Sequence, residues 1–158
     1  MICFETNDPA KTEALAAAMA ARLKPGDIIA LDGDLGAGKT VFSKGLAAGL
    51  GIKEPVTSPT FLIMQQYEDG SAPLYHFDVY RIEDPDEMIE IGAEEFFYGD
   101  GICVIEWAER IAELLPKEAI RIRILRVPEN GPDCRSIMIE NLADESSFSE
   151  DAKKILKA

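Results

Sequence analysis

Residues Gly33-Asp34-Leu35-Gly36-Ala37-Gly38-Lys39-Thr40 form a complete G-x-x-x-x-G-K-[ST] pattern, the phosphate-binding P-loop. Each part suits a polyphosphate. Glycines let the backbone fold round the anion without Cβ clashes. A helix that starts behind the loop points its free N–H groups and positive dipole end at the phosphates. Lys39 is expected to bridge the β- and γ-phosphates, and the Thr40 hydroxyl to hold Mg²⁺. The whole stretch from Gly33 through Asp34, Leu35, Gly36, Ala37 and Gly38 to Thr40 is the expected nucleotide cradle.

Such a loop needs a second magnesium ligand and a group that orients water. Two acids end short apolar runs: Asp78 closes Leu74-Tyr75-His76-Phe77-Asp78, and Glu106 closes Ile102-Cys103-Val104-Ile105-Glu106. In strand geometry either acid can project past the sheet edge towards the loop. Thr60, in a proline-flanked loop, is a second candidate for the hydrolytic step. Trp107 adjoins Glu106. His76 alternates with Tyr75 and Phe77 and is as well explained by packing in a strand as by chemistry.

The surrounding elements fit these roles. The apolar run Asp27–Leu31 before the loop is a buried strand by composition. Val41 to Leu50 after it is a helix, with Gly49 and Gly51 as stop signals. Upstream, Ile2–Thr6 is strand-like. Asn7-Asp8-Pro9 then opens a helix whose stripe is Leu15, Met19 and Leu23, stopped at Pro25-Gly26. Downstream, 54–60 is a loop, and Phe61–Glu68 and Ala72–Tyr80 flank an Asp69-Gly70 hairpin turn. Asp84-Pro85 opens a further helix. Ile102–Ile105 is a strand and Trp107–Leu115 a helix. Ile120, Ile122 and Ile124 give a strand one apolar face, and Ser136–Glu140 returns beside it after a Gly/Pro turn. The fold class expected is α/β: a single P-loop NTPase-like domain with a mixed parallel and antiparallel sheet flanked by helices. Residues 1–142 form that domain, and 143–158 a polar, weakly helical tail.

Composition narrows the function. The chain has 158 residues, 47% of them hydrophobic, and a formal net charge of −13. That charge leaves no broad basic face for a nucleic-acid backbone or an anionic membrane. Arginines gather only in the strand 121–126. Three scattered cysteines and a single histidine, His76, do not make a zinc site. No signal peptide or membrane-length apolar run is visible, so a cytoplasmic location is expected.

Four motifs, GDLGAGKT, SPTF (Ser58–Phe61), YHFDVYR (Tyr75–Arg81) and IEWAER (with Glu106–Arg110), occur in this order. In that combination the chain resembles the TsaE (YjeE-type) P-loop ATPases of bacteria. The resemblance implies a slow ATPase needed for threonylcarbamoyladenosine modification of tRNA. It also implies that ATP and ADP with Mg²⁺ act as a switch on the TsaB–TsaD pair. By the same resemblance Lys39 and Thr40 match the phosphate lysine and the magnesium threonine. Glu106 matches the second magnesium ligand, and Asp78 an acid near the γ-phosphate. Thr12 and Arg135 match positions near the base. The catalytic set so implied is Asp78, Glu106 and Lys39. Thr60, His76, Tyr80, Arg81 and Trp107 are the residues expected to carry the nucleotide state to a partner, and no tight binding of tRNA by the isolated chain is expected.

Two rivals share the first motif. A small P-loop kinase usually carries an arginine-rich lid and more βαβ units, where this chain has a proline-rich loop and a hairpin. A nucleotide-gated interaction module without significant turnover differs from the ATPase reading only in rate. A GTPase is disfavoured by the missing N-K-x-D motif, so ATP is expected to bind better than GTP.

Overall fold

A computed structural model describes residues 1–59 and 61–157. Among them the sheet runs β1 (Ile2–Thr6), β2 (Ile28–Asp32), β3 (Met64–Tyr67), β4 (Leu74–Asp78), β5 (Ile102–Glu106), β6 (Ile120–Arg126) and β7 (Arg135–Glu140). The helices are α1 (Pro9–Ala20), α2 (Lys39–Gly49), α3 (Asp86–Glu90), α4 (Ala93–Phe97) and α5 (Glu145–Lys157), with a 3₁₀ helix at Ala108–Leu114. Strand order is β1-β7-β6-β2-β5-β4-β3. The central strands β6, β2, β5 and β4 are parallel, and β1, β7 and β3 join antiparallel at the edges. This is the expected mixed α/β sheet.

The innermost strands β2 and β5 are apolar up to their closing acids because helices cover both faces, whereas β6 alternates isoleucine with arginine. Ile29, Leu31, Val104, Ile122 and Ile124 pack on one side with α1, α2 and α5. Ile28, Ala30, Phe77, Cys103 and Ile105 pack on the other with α3, α4 and the 3₁₀ helix. Asp8 caps α1 by accepting from Lys11 N at 2.8 Å, with Pro9 in the first turn. Leu15 and Met19 of the stripe are fully buried, while Leu23 lies past the helix end and packs partly against the core. Gly49 does more than end α2. A Cβ there, or at Gly45 one turn earlier, would overlap the α1 backbone at Ala17 or Glu13, so these two glycines set how closely the helices approach.

Three elements differ from the sequence reading. The hairpin strands start later and are joined by residues 68–73, because the Asp69 carboxylate accepts from Lys53 N and Glu54 N instead of closing a tight turn. Phe61–Ile63 forms a turn rather than strand, with Leu62 N and Ile63 N bonded to Pro59 O and Ile63 at φ 68. The segment after β5 is 3₁₀, kinked at Ile111, since Trp107 N bonds Leu31 O and Glu109 N bonds Asp32 Oδ1, which ties its start to the end of β2.

Within 143–158, α5 buries Phe148 and Ala152. The Phe148 ring meets Phe4 edge-on at 5.7 Å, and Arg22 lies 5.2 Å over its face while pairing with Asp151 at 2.7 Å.

Candidate nucleotide site

Parallel register brings the site together. Leu31 at the end of β2 pairs with Glu106 of β5, which in turn pairs with Asp78 of β4. The loop leaving β2 therefore opens beside both acids, at the carboxyl edge where ligands of open α/β sheets bind. Gly38 sits at φ 109 as the cap of α2, a left-handed turn that favours glycine and swings the helix N-terminus into the cleft.

Lys39, the first residue of α2, is nearly fully buried. Its Nζ donates to the carbonyl oxygens of Gly33 and Asp34, and lies 3.9 Å from the centre of the Trp107 ring. Burial pushes its ammonium below the usual lysine range, while Glu106, Asp78, Asp32 and Asp34 pull it back up. Burial likewise raises the Asp32 carboxyl, partly offset by the Glu109 N–H.

Glu106 is buried and bonded on three sides. Thr40 Oγ1 donates to Oε1 at 3.3 Å and Ser43 Oγ to Oε2 at 3.3 Å, and His76 Nε2 bonds Oε2. Asp78, also buried, accepts from Ser58 Oγ on Oδ2 at 3.2 Å and from Tyr80 N on Oδ1 at 3.0 Å. Lys39, Thr40, Asp78, Glu106, Tyr80 and Trp107 share the wall of one cleft of about 330 Å³. Thr12 and Arg135 line a smaller recess behind the loop with Pro9, Ala37, Val41 and Asp133. There Arg135 Nε donates to Ala37 O at 2.7 Å, and Thr12 Oγ1 bonds Thr6 Oγ1 at 2.8 Å.

Among the residues grouped as facing a partner, Tyr80 and Arg81 are exposed, Trp107 is half-buried, and His76 is fully buried behind Glu106. Tyr80 lies 4.8 Å from Trp107 ring to ring, Arg110 stacks over Tyr80, and Arg81 over Phe61. Thr60 falls outside the described residues. Ser43, Ser58 and Arg126 were not singled out from sequence. Ser43 follows Thr40 by three residues, so both look towards β5 from one helix face. Ser58 opens the SPTF motif. Arg126 donates to Gly36 O at 3.4 Å from the next strand over, and no local pattern marks it.

Hydroxyl and carboxylate are hard oxygen donors. A pair of them fits Mg²⁺, which takes one or two protein ligands when phosphates complete its shell. Among the described residues no cluster of three His, Cys, Asp or Glu offers an all-protein metal cage. No helix among them is long and apolar enough to cross a membrane.

A family model described as "Threonylcarbamoyl adenosine biosynthesis protein TsaE" matches residues 6–136. The chain is 52% identical over 134 residues to a Bacillus subtilis (strain 168) protein named tRNA threonylcarbamoyladenosine biosynthesis protein TsaE, covering 85% of this chain and 82% of that one. A Treponema pallidum protein of the same name is 50% identical over 109 residues, 69% of this chain and 79% of its own. The crystal structure of Bacillus subtilis YdiB superposes with a TM-score of 0.78 at 41% identity, covering 97% of this chain and 94% of the other.

Proposed function

The chain belongs to the TsaE family of threonylcarbamoyladenosine biosynthesis proteins, and on that premise we propose that it is a slow, Mg²⁺-dependent ATPase serving this tRNA modification as a nucleotide-controlled switch on the TsaB–TsaD pair. The observation that carries the reading is the Thr40–Glu106 contact at 3.3 Å, on the wall of the cleft that also holds Lys39 and Asp78.

The residues divide the work by position. The N–H groups of Gly36 to Thr40 and the dipole of α2 receive the phosphates. Lys39 leaves the carbonyls of Gly33 and Asp34 and places its charge on the β- and γ-oxygens, a charge-assisted contact worth about 1.5–3 kcal/mol. Thr40 and Glu106 would hold Mg²⁺, which when bound would supply neutralisation of negative charge on the phosphates. Asp78, fixed by Ser58 Oγ and Tyr80 N, orients the attacking water and accepts its proton. Thr12 and Arg135 border the base.

Switching needs a surface that differs between nucleotide states and a partner that prefers one of them. Tyr80, Arg81 and Trp107 are the residues for that surface, Thr60 a candidate for the same role on sequence grounds, TsaB–TsaD the partner, and the cytoplasm the setting. Isolated, the chain lacks the clustered cations that hold tRNA.

Phosphate release by the purified chain, alone and with TsaB–TsaD, tests the reading. It is expected to be slow alone and faster with the pair, with co-purification stronger in ATP than in ADP. Absence of ATP binding, or phosphoryl transfer to a small acceptor in place of hydrolysis, would overturn it. So would a tight gel shift of tRNA by the chain alone at moderate salt.

A further inference from the structure

Glu106 uses its two oxygens differently. Oε1 faces Thr40 at the cleft, and Oε2 points into the protein, where Ser43 Oγ and His76 Nε2 bond it. Ser43 and His76 are both wholly buried. They reach Oε2 from different elements, Ser43 from α2 and His76 from β4, where it stands two residues before Asp78 and pairs with Val104.

The other ring nitrogen, His76 Nδ1, is buried with no hydrogen-bond partner among the described residues. A histidine that leaves one nitrogen orphaned in the interior is a poor packing residue. A leucine would fill similar space without that penalty. Among the described residues the ring's one polar contact is the carboxylate, which only accepts when ionised, and Nε2 then carries the donated proton.

We infer that His76 is a positioning residue for the metal. Its Nε2–H, together with the Ser43 hydroxyl, fixes Oε2 of Glu106 so that Oε1 is held beside Thr40 Oγ1. Without that clamp the Glu106 side chain is free to rotate among its χ wells and withdraw Oε1 from the cleft. Outer-shell bonds of this kind typically set metal affinity by about 10- to 100-fold. The inference rests on the reading of Thr40 and Glu106 as Mg²⁺ ligands.

Calorimetry of ADP, with Mg²⁺ and with chelator, tests it on the wild type, His76→Leu, His76→Gln, Ser43→Ala and Glu106→Gln. The readout is the ratio of the two affinities, which a purely structural role would leave alone. His76→Leu is expected to cut the Mg²⁺ enhancement about ten-fold while chelator-state affinity stays within about two-fold. His76→Gln, whose amide N–H can replace Nε2–H, restores most of the enhancement. Ser43→Ala loses part of it and serves if His76→Leu does not fold. Full Mg²⁺ enhancement in His76→Leu overturns the inference, as does His76→Gln behaving like His76→Leu. An equal loss with and without metal also overturns it. If Glu106→Gln keeps the wild-type enhancement, the failure lies instead in the assignment of Glu106 as a ligand.

Discussion

Lys39 and Trp107 face each other across the mouth of the P-loop, the ammonium 3.9 Å from the indole centre. Trp107 reaches this place by a left-handed backbone, φ 63, directly after Glu106. A bulky residue in that region is strained, and its N–H bond to Leu31 O helps hold it there. The cation is thereby kept on the indole face and on two loop carbonyls, all groups a bound phosphate would displace.

Trp107 is the single tryptophan of the chain, so its emission reports the indole's surroundings, Lys39 on its face and Tyr80 beside it. Saturating ATP with Mg²⁺ is expected to change its intensity or wavelength as Lys39 moves to the phosphates. Lys39→Ala should shift the emission of the nucleotide-free protein as well. Identical spectra with and without nucleotide, under conditions where calorimetry shows binding, would mean that Lys39 keeps its place.

Lys39→Ala should weaken ATP binding about ten- to a hundred-fold, the worth of one charge-assisted contact. Calorimetry reads this directly. An unchanged affinity would remove the side chain from the phosphate site.

α5 is expected to be part of the folding unit. Phe148→Ala removes a ring packed on Phe4 and beneath Arg22, at a cost of about 3–5 kcal/mol. Removal of residues 143–158 should destabilise at least as much, because it exposes the same pocket. Urea unfolding checks both. A midpoint within error of the wild type would make the segment an appendage.

The P-loop, both acids and the order of elements were legible because each is a local pattern: glycine spacing, an acid closing an apolar run, a change of period. The bonds behind Glu106 were not. Ser43 and His76 lie 33 residues apart in sequence, and only the pairing of β4 with β5 and the seating of α2 bring them to one carboxylate. The 3₁₀ helix after Trp107 escaped for a like reason, since its start is set by bonds to Leu31 and Asp32 on another strand. α5 read as polar because its buried residues, Phe148 and Ala152, are few. Its partners Phe4 and Arg22 lie at the far end of the chain.

Glu106 and Asp78 are adjacent in register yet differently served, and their variants should separate accordingly. Glu106 is bonded to Thr40 and Ser43 on the P-loop helix, whereas Asp78 is bonded to Ser58 and Tyr80 N on the loops facing it. Glu106→Gln keeps the shape but removes the charge beside Thr40, so Mg²⁺-dependent ATP binding and turnover should both fall. Asp78→Asn keeps the Tyr80 N–H contact but can no longer take a proton from water. It should bind ATP with Mg²⁺ to within about three-fold of wild type, well under one charge-assisted bond, and release almost no phosphate. Calorimetry and a phosphate-release assay on the same preparations make the comparison. If Asp78→Asn loses Mg²⁺-dependent binding while Glu106→Gln keeps it, the two acids exchange roles.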